Sequence, residues 1–167
     1  MGSLHADLAS GMSTDNSKKV YTVTLRQTAK WHDGKPVTAN DVVFTMGLIQ
    51  NPAARVPTSL SDSWQNVQIQ KIDDFTVQFT LPTVYAAFPA ALTFPIIPQH
   101  ILADVEPAQM QENNFSLKPV GSGPFIPKRF ENSDTTTKRD VLQLTANANY
   151  FLGAPRIRAV ELITYPD

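Results

Sequence analysis

The sequence predicts an α+β fold of small antiparallel sheets and short helices. Three observations carry that prediction. Several short stretches alternate apolar and polar residues with period two, as strands with one buried face do. One stretch, residues 38–50, changes to helical spacing. Thirteen prolines divide the 167 residues into short pieces. That length is enough for one domain with a real core.

Composition narrows the functional classes. With 42% apolar and 17% charged residues the chain is an ordinary globular one, not a wholly disordered one. A net charge of −1 without a basic cluster argues against a nucleic-acid partner. The absence of cysteine removes disulfides, thiol catalysis and cysteine-ligated zinc together. No segment approaches the ~20 apolar residues of a membrane-spanning helix. The longest candidate, Val84 to Leu92, is short and broken by Pro89. Met1-Gly2-Ser3 has no basic and apolar run behind it, and reads as a cloning remnant on a piece excised from a longer protein.

Taken in order, Leu4 to Lys19 is polar and turn-rich, with Thr14-Asp15-Asn16-Ser17 as a loop leading into the first strand. Tyr21, Val23 and Leu25 alternate with Thr22, Thr24 and Arg26 as that strand. Asp33-Gly34 and Pro36 mark a tight turn, since glycine tolerates positive φ and proline presets a reversal. Thr38 caps a helix, with Asp41 three places on beside the first-turn amides. Val42, Met46 and Ile49 form its apolar face, widened by Phe44 and Leu48, and Asn51-Pro52 stops it. Asn51 to Gln65 reads as a long irregular loop, of the kind that is functional or mobile.

Val67, Ile69 and Ile72, then Asp73-Asp74, then Val77, Phe79 and Leu81 spell an antiparallel hairpin. Pro82 to Leu92 suits a short helix, Phe94 to Pro98 an extended run, and Gln99 to Val105 another short helix. Residues 106–119 are loop-like, with a helical turn at Gln109 to Glu112. Strands follow from Phe125, over Asp140 to Thr145, and over Ala159 to Tyr165.

The run Trp31-His32-Asp33-Gly34, then Pro36-Val37-Thr38-Ala39 and Asp41-Val42-Val43-Phe44, is specific. It resembles the signature of the family 5 extracellular solute-binding proteins, the peptide, dipeptide and nickel receptors of ABC importers. Further pieces resemble that family in the same order: Leu8-Ala9 with Tyr21-Thr22, Pro98-Gln99-His100-Ile101-Leu102, and Gly121-Ser122-Gly123-Pro124-Phe125. Asn147-Ala148-Asn149-Tyr150-Phe151 is similar to the family's Asn-x-x-Tyr-Trp, with phenylalanine in place of tryptophan.

The resemblance implies a receptor of two lobes that close on a ligand, of the type II periplasmic-binding-protein kind. Residues 4–120 would be the accessory region inserted in the first lobe, and 121–167 strands returning to that lobe. It further implies an oligopeptide or other small solute as ligand, the membrane permease subunits of an ABC importer as partner, and a monomer needing no cofactor. The location implied is extracellular, as a cell-surface lipoprotein or in the periplasm. Because the residues gripping a peptide lie largely in the other lobe of such receptors, this chain is expected to fold but to bind peptide weakly or not at all.

Each chemically suggestive group has a plainer reading. His32 beside Asp33 could act as a general base in a hydrolase if a nucleophile converged on it. Trp31, Asp33 and Gly34 read better as the cover, acceptor and backbone hinge of a turn. His5, His32 and His100 show no metal-ligand spacing. Ser122 lacks the Gly-x-Ser-x-Gly spacing of a nucleophile elbow, so Gly121, Gly123 and Pro124 read as backbone geometry. Arg55 and Trp64, in the 51–65 loop, are the ligand-contact candidates, where the resembled receptors bring this region towards their cleft. A ligand-sensing module of a regulator is the remaining alternative.

Overall fold

Alternation along β2 (Val20–Leu25) buries Tyr21, Val23 and Leu25 and leaves Thr24 exposed. The structure is a computed structural model that describes residues 5–131 and 140–165; Met1-Gly2-Ser3 lie outside them. β2 sits inside a four-stranded antiparallel sheet of order β1-β2-β4-β3, with β1 at Ala9–Thr14, β3 at Gln68–Asp73 and β4 at Thr76–Thr80. β4 supplies the deepest positions, Val77 and Phe79. The tight β3–β4 turn is held by Asp73, whose carboxylate accepts the Phe75 N–H at 2.8 Å. That bond, chiefly, keeps its carboxyl below the ordinary value of 3.8.

Helix α1 (Ala39–Gln50) packs on β3 and β4 through Val42, Met46 and Ile49, with Phe44 and Leu48 half-buried at the edge of the face. Trp64, Phe79, Phe88 and Phe94 close the core as an aromatic cluster, with Trp64 ring centroids 5.3–6.0 Å from the other three. A second sheet, β5-β6-β7, is an antiparallel meander of Phe125–Glu131, Asp140–Ala146 and Ala159–Thr164.

The elements form two compact units, one of Met1–Gln27 with Val37–Asn113, the other of Thr28–Pro36 with Asn114–Asp167. The hydrophobic cluster around Trp64, Phe79 and Met46 belongs to the first. Among the described residues of the second, only Ala29, Trp31 and Asn147 are buried.

The α+β class is as expected, but several elements differ from the sequence reading. β1 lies in the polar stretch ahead of the 14–17 loop, where the residues alone marked no strand: five of its six residues are exposed, so no apolar period announces it. The irregular 51–65 loop contains a 3-10 turn, Pro52–Ala54, and helix α2, Thr58–Trp64. The 82–92 helix contracts to α3, Phe88–Ala91, and the 99–105 helix to α4, Gln99–Leu102. Ile72 is 51% exposed, because a register shift between Lys71 and Asp73 takes it off the buried face.

Candidate functional site

The Trp31-His32-Asp33-Gly34 corner is a small closed turn in the second unit. Trp31 N–H donates to the Lys35 carbonyl at 2.8 Å, Gly34 N–H to the Trp31 carbonyl at 2.9 Å, and Lys35 N–H to Asp33 Oδ1 at 3.1 Å. Gly34 has φ +89, which a side chain would strain. Trp31 is buried at 3% exposure beneath this turn.

His32 extends the turn to a distant loop. Its N–H donates to the Gly121 carbonyl at 2.7 Å, and Nδ1 receives the Gly121 N–H at 3.2 Å. A peptide N–H can only donate, so Nδ1 is the acceptor and the ring proton sits on Nε2. Nε2 then donates to the Gly123 carbonyl at 3.0 Å. That carbonyl also accepts Asn147 Nδ2 at 3.1 Å, while Asn147 N–H donates to the Pro124 carbonyl at 2.8 Å. Asn147 completes the knot by accepting the Asn149 N–H at 3.0 Å.

This arrangement decides what the corner can do. General-base chemistry needs an imidazole lone pair aimed at substrate, and here that lone pair faces Gly121. The cavity beside the corner, about 250 Å³, is bordered by His32, Lys30, Lys128, Thr145 and Asn149. That is below the roughly 300–1,000 Å³ of ordinary small-molecule pockets. Among the described residues no three of His, Asp and Glu converge on a point.

Gly121 is where the knot is most sensitive. A Cβ there would lie 3.2 Å from His32 Cε1, and the ring is pinned at both nitrogens. Gly121→Ala is expected to destabilise the second unit by about 1 kcal/mol, and His32→Ala, which leaves the Gly121 N–H without its acceptor while the Gly123 carbonyl keeps Asn147 Nδ2, by about 1–2 kcal/mol. The check is faster amide exchange at Gly121 and Asn147. Unchanged exchange would show that the knot is not what holds this loop.

Of the two ligand-contact candidates, the structure separates rather than joins them. Arg55 is exposed and left-handed (φ 53) at the end of the 3-10 turn, its carbonyl accepting Gln111 Nε2 at 2.9 Å. Trp64 is 2% exposed at the end of α2, inside the aromatic cluster. Its ring packs against Phe79, Phe88 and Phe94. The open groove of about 560 Å³ on the first unit, between α1 and β3, is edged by the amides Gln50, Gln65, Asn66 and Gln68. Gln50 Nε2 is already committed to the Trp64 and Val67 carbonyls at 2.6 and 2.8 Å.

Thr38, Asp41 and Thr45 form a further network in the first unit. Asp41 Oδ2 accepts the Thr38 N–H at 2.8 Å, so the expected cap is present. Its Oδ1 also accepts the Gln99 N–H at 2.9 Å, and Thr45 Oγ1 accepts the Ile97 N–H at 3.0 Å. This second function of Asp41, and the whole part of Thr45, were not read from the sequence.

With this geometry in place, comparison with known proteins identifies the class. Over 96% of its length the chain superposes on the oligopeptide-binding protein AppA of Bacillus subtilis in complex with a nonapeptide, with TM-score 0.80 and 31% identity, covering 31% of that chain. NikZ of Campylobacter jejuni in complex with Ni(L-His) matches over 95% of the chain and 30% of its own, with TM-score 0.79 and 26% identity. The fold is thus that of a part of a type II periplasmic binding protein.

Residues 3–167 match the family described as bacterial extracellular solute-binding proteins, family 5 Middle, and the chain belongs to that family. In sequence it is 34% identical to the oligopeptide-binding protein AppA of Bacillus subtilis (strain 168) over 152 residues, covering 88% of this chain. It spans about a quarter of that relative's length, 26%.

Proposed function

We propose that these residues are part of an extracellular receptor that captures oligopeptides and delivers them to the membrane permease of an ABC importer. The first unit is then the accessory region of the first lobe, and the second unit carries the strands returning to that lobe. The sequence reading divided them at residues 120 and 121; in this assignment the 28–36 corner goes with the returning strands. The protein is a binder and not an enzyme, with His32 and Asp33 as structural residues. It works as a monomer, outside the cytoplasmic membrane, as a surface lipoprotein or in the periplasm.

The observation that carries this reading is the family match along residues 3–167, reinforced by relatives named for oligopeptide binding. The size of the concave features agrees with it: neither a 250 Å³ cavity nor an open amide-edged groove encloses a peptide, so capture needs further polypeptide.

Calorimetry tests it. The parent protein is expected to bind some di- to nonapeptide at about micromolar Kd or better, and the 167-residue chain at least about 100-fold more weakly. A parent that binds no peptide but takes up the nickel–histidine complex would replace the solute class; tight peptide binding by this chain alone would overturn the division of labour. Exposed Arg55 offers a guanidinium to a peptide carboxylate. Arg55→Ala in the parent should weaken binding about tenfold, or about 1.4 kcal/mol, without changing thermal stability; undiminished affinity would remove Arg55 from the site.

A further inference from the structure

The second unit is assembled from two pieces far apart in sequence, residues 28–36 and 114–167. His32 joins them with three hydrogen bonds. Its backbone N–H donates to the Gly121 carbonyl, its Nδ1 accepts the Gly121 N–H, and its Nε2–H donates to the Gly123 carbonyl. Only one protonation state of the ring satisfies all three. The 3.2 Å contact at Nδ1 needs a bare nitrogen, because a peptide N–H has nothing to give but its proton.

A proton added at Nδ1 would set two N–H groups against each other at that distance. The bond becomes a repulsion, and the Gly121 N–H is left without its acceptor. Nε2–H and Asn147 Nδ2 still reach the Gly123 carbonyl, so the change is confined to Gly121.

The charged neighbours of the ring come from two elements. Lys30, Asp33 and Lys35 share its turn, and Lys128 of β5 borders the same cavity as the ring and Lys30. Residues 120–124 and 145–149, which also lie against the corner, bring no charged side chain. An imidazolium here would therefore stand among three ammonium groups and one carboxylate, and that carboxylate already accepts the Lys35 N–H.

We infer that His32 is a pH-sensitive latch within the second unit, closed on Gly121 while its imidazole is neutral and released there on protonation. Histidine is the side chain whose ordinary charge change falls between about pH 5 and 8. The inference needs no solute, so it and the transport reading fail separately.

The 167-residue chain is followed by nuclear magnetic resonance from about pH 7.5 down to about pH 5, the range in which histidine ordinarily changes charge. At the upper end the imidazole nitrogens are expected to show hydrogen on Nε2 and none on Nδ1. Protection of the Gly121 amide, corrected for the intrinsic pH dependence of exchange, is expected to fall about tenfold across the range. The Val77 and Phe79 amides in the first unit should keep theirs. Asp15 and Asp73, held below the ordinary 3.8 chiefly by hydrogen bonds from Ser17 and Phe75, stay charged throughout. His32→Gln offers an acceptor and a donor but no titrating group, and its Gly121 protection should not change with pH. Where that variant fails to form the knot, the comparison of Gly121 with Val77 in the unsubstituted chain still decides.

A proton on Nδ1 at the upper end of the range would overturn the inference. So would Gly121 protection that stays constant, that falls only together with Val77 and Phe79, or that falls equally in a folded His32→Gln variant.

Discussion

Trp64→Ala is expected to cost the first unit about 4 kcal/mol, a large fraction of the stability of an ordinary domain. The indole is 2% exposed, and its ring lies 6.0 Å from Phe79, 5.5 Å from Phe88 and 5.3 Å from Phe94. Removing it leaves a cavity bounded by three aromatic side chains that cannot all collapse inwards, because Phe79 is fixed by β4 between two neighbouring strands. Urea unfolding followed by circular dichroism is the measurement, with a lower midpoint at unchanged slope. Trp64→Phe should recover most of the loss. Were Trp64 a ligand contact instead, alanine would lower affinity and leave the midpoint where it was, and that result would return it to the cleft.

The second large effect is expected at Asp41. A buried carboxylate here accepts two backbone N–H groups, from Thr38 and, 58 residues along the chain, from Gln99. Hydrogen bonds to a charged acceptor contribute roughly 1.5–3 kcal/mol each, and a stranded buried donor adds its desolvation cost. With the half-buried Thr38 end partly recovered by water, Asp41→Ala should cost about 3 kcal/mol.

Thr45→Val keeps the volume but removes the acceptor for Ile97 N–H, and should cost about 1 kcal/mol. Because Ile97 and Gln99 are held by the same helix, the double variant should cost less than the sum of the two. Strict additivity would mean that the two bonds act on separate pieces of structure.

These two sites mark where the sequence was readable and where it was not. The alternation at Tyr21–Leu25, the spacing of Val42, Met46 and Ile49, and the hairpin about Asp73 are local patterns, and the structure contains each. β1 was not legible because an edge strand with five exposed residues satisfies its backbone on one side and needs no apolar period. α2 was hidden because only Trp64 of its seven residues is buried, so no stripe forms. The burial of Trp64 was hidden for the same reason: its partners Phe79, Phe88 and Phe94 come from other segments.

Asp41 was correctly read as a cap because its first partner is three residues away. Its second partner is a matter of tertiary folding, which no local pattern records. The candidate site was less legible still. The corner was identified as structural from turn chemistry, but the His32 bonds to Gly121 and Gly123 span 89 and 91 residues.

That separation has a consequence for biosynthesis. A ribosome releases the corner early, yet His32 has nothing to hold until Gly121 and Gly123 emerge, by which point the intervening helix and hairpin have already been translated. The first unit is complete in sequence by Asn113, whereas the second must wait for Gly121 and Gly123 with its histidine undocked. A truncation before residue 121 would yield a product with a formed core and an open corner.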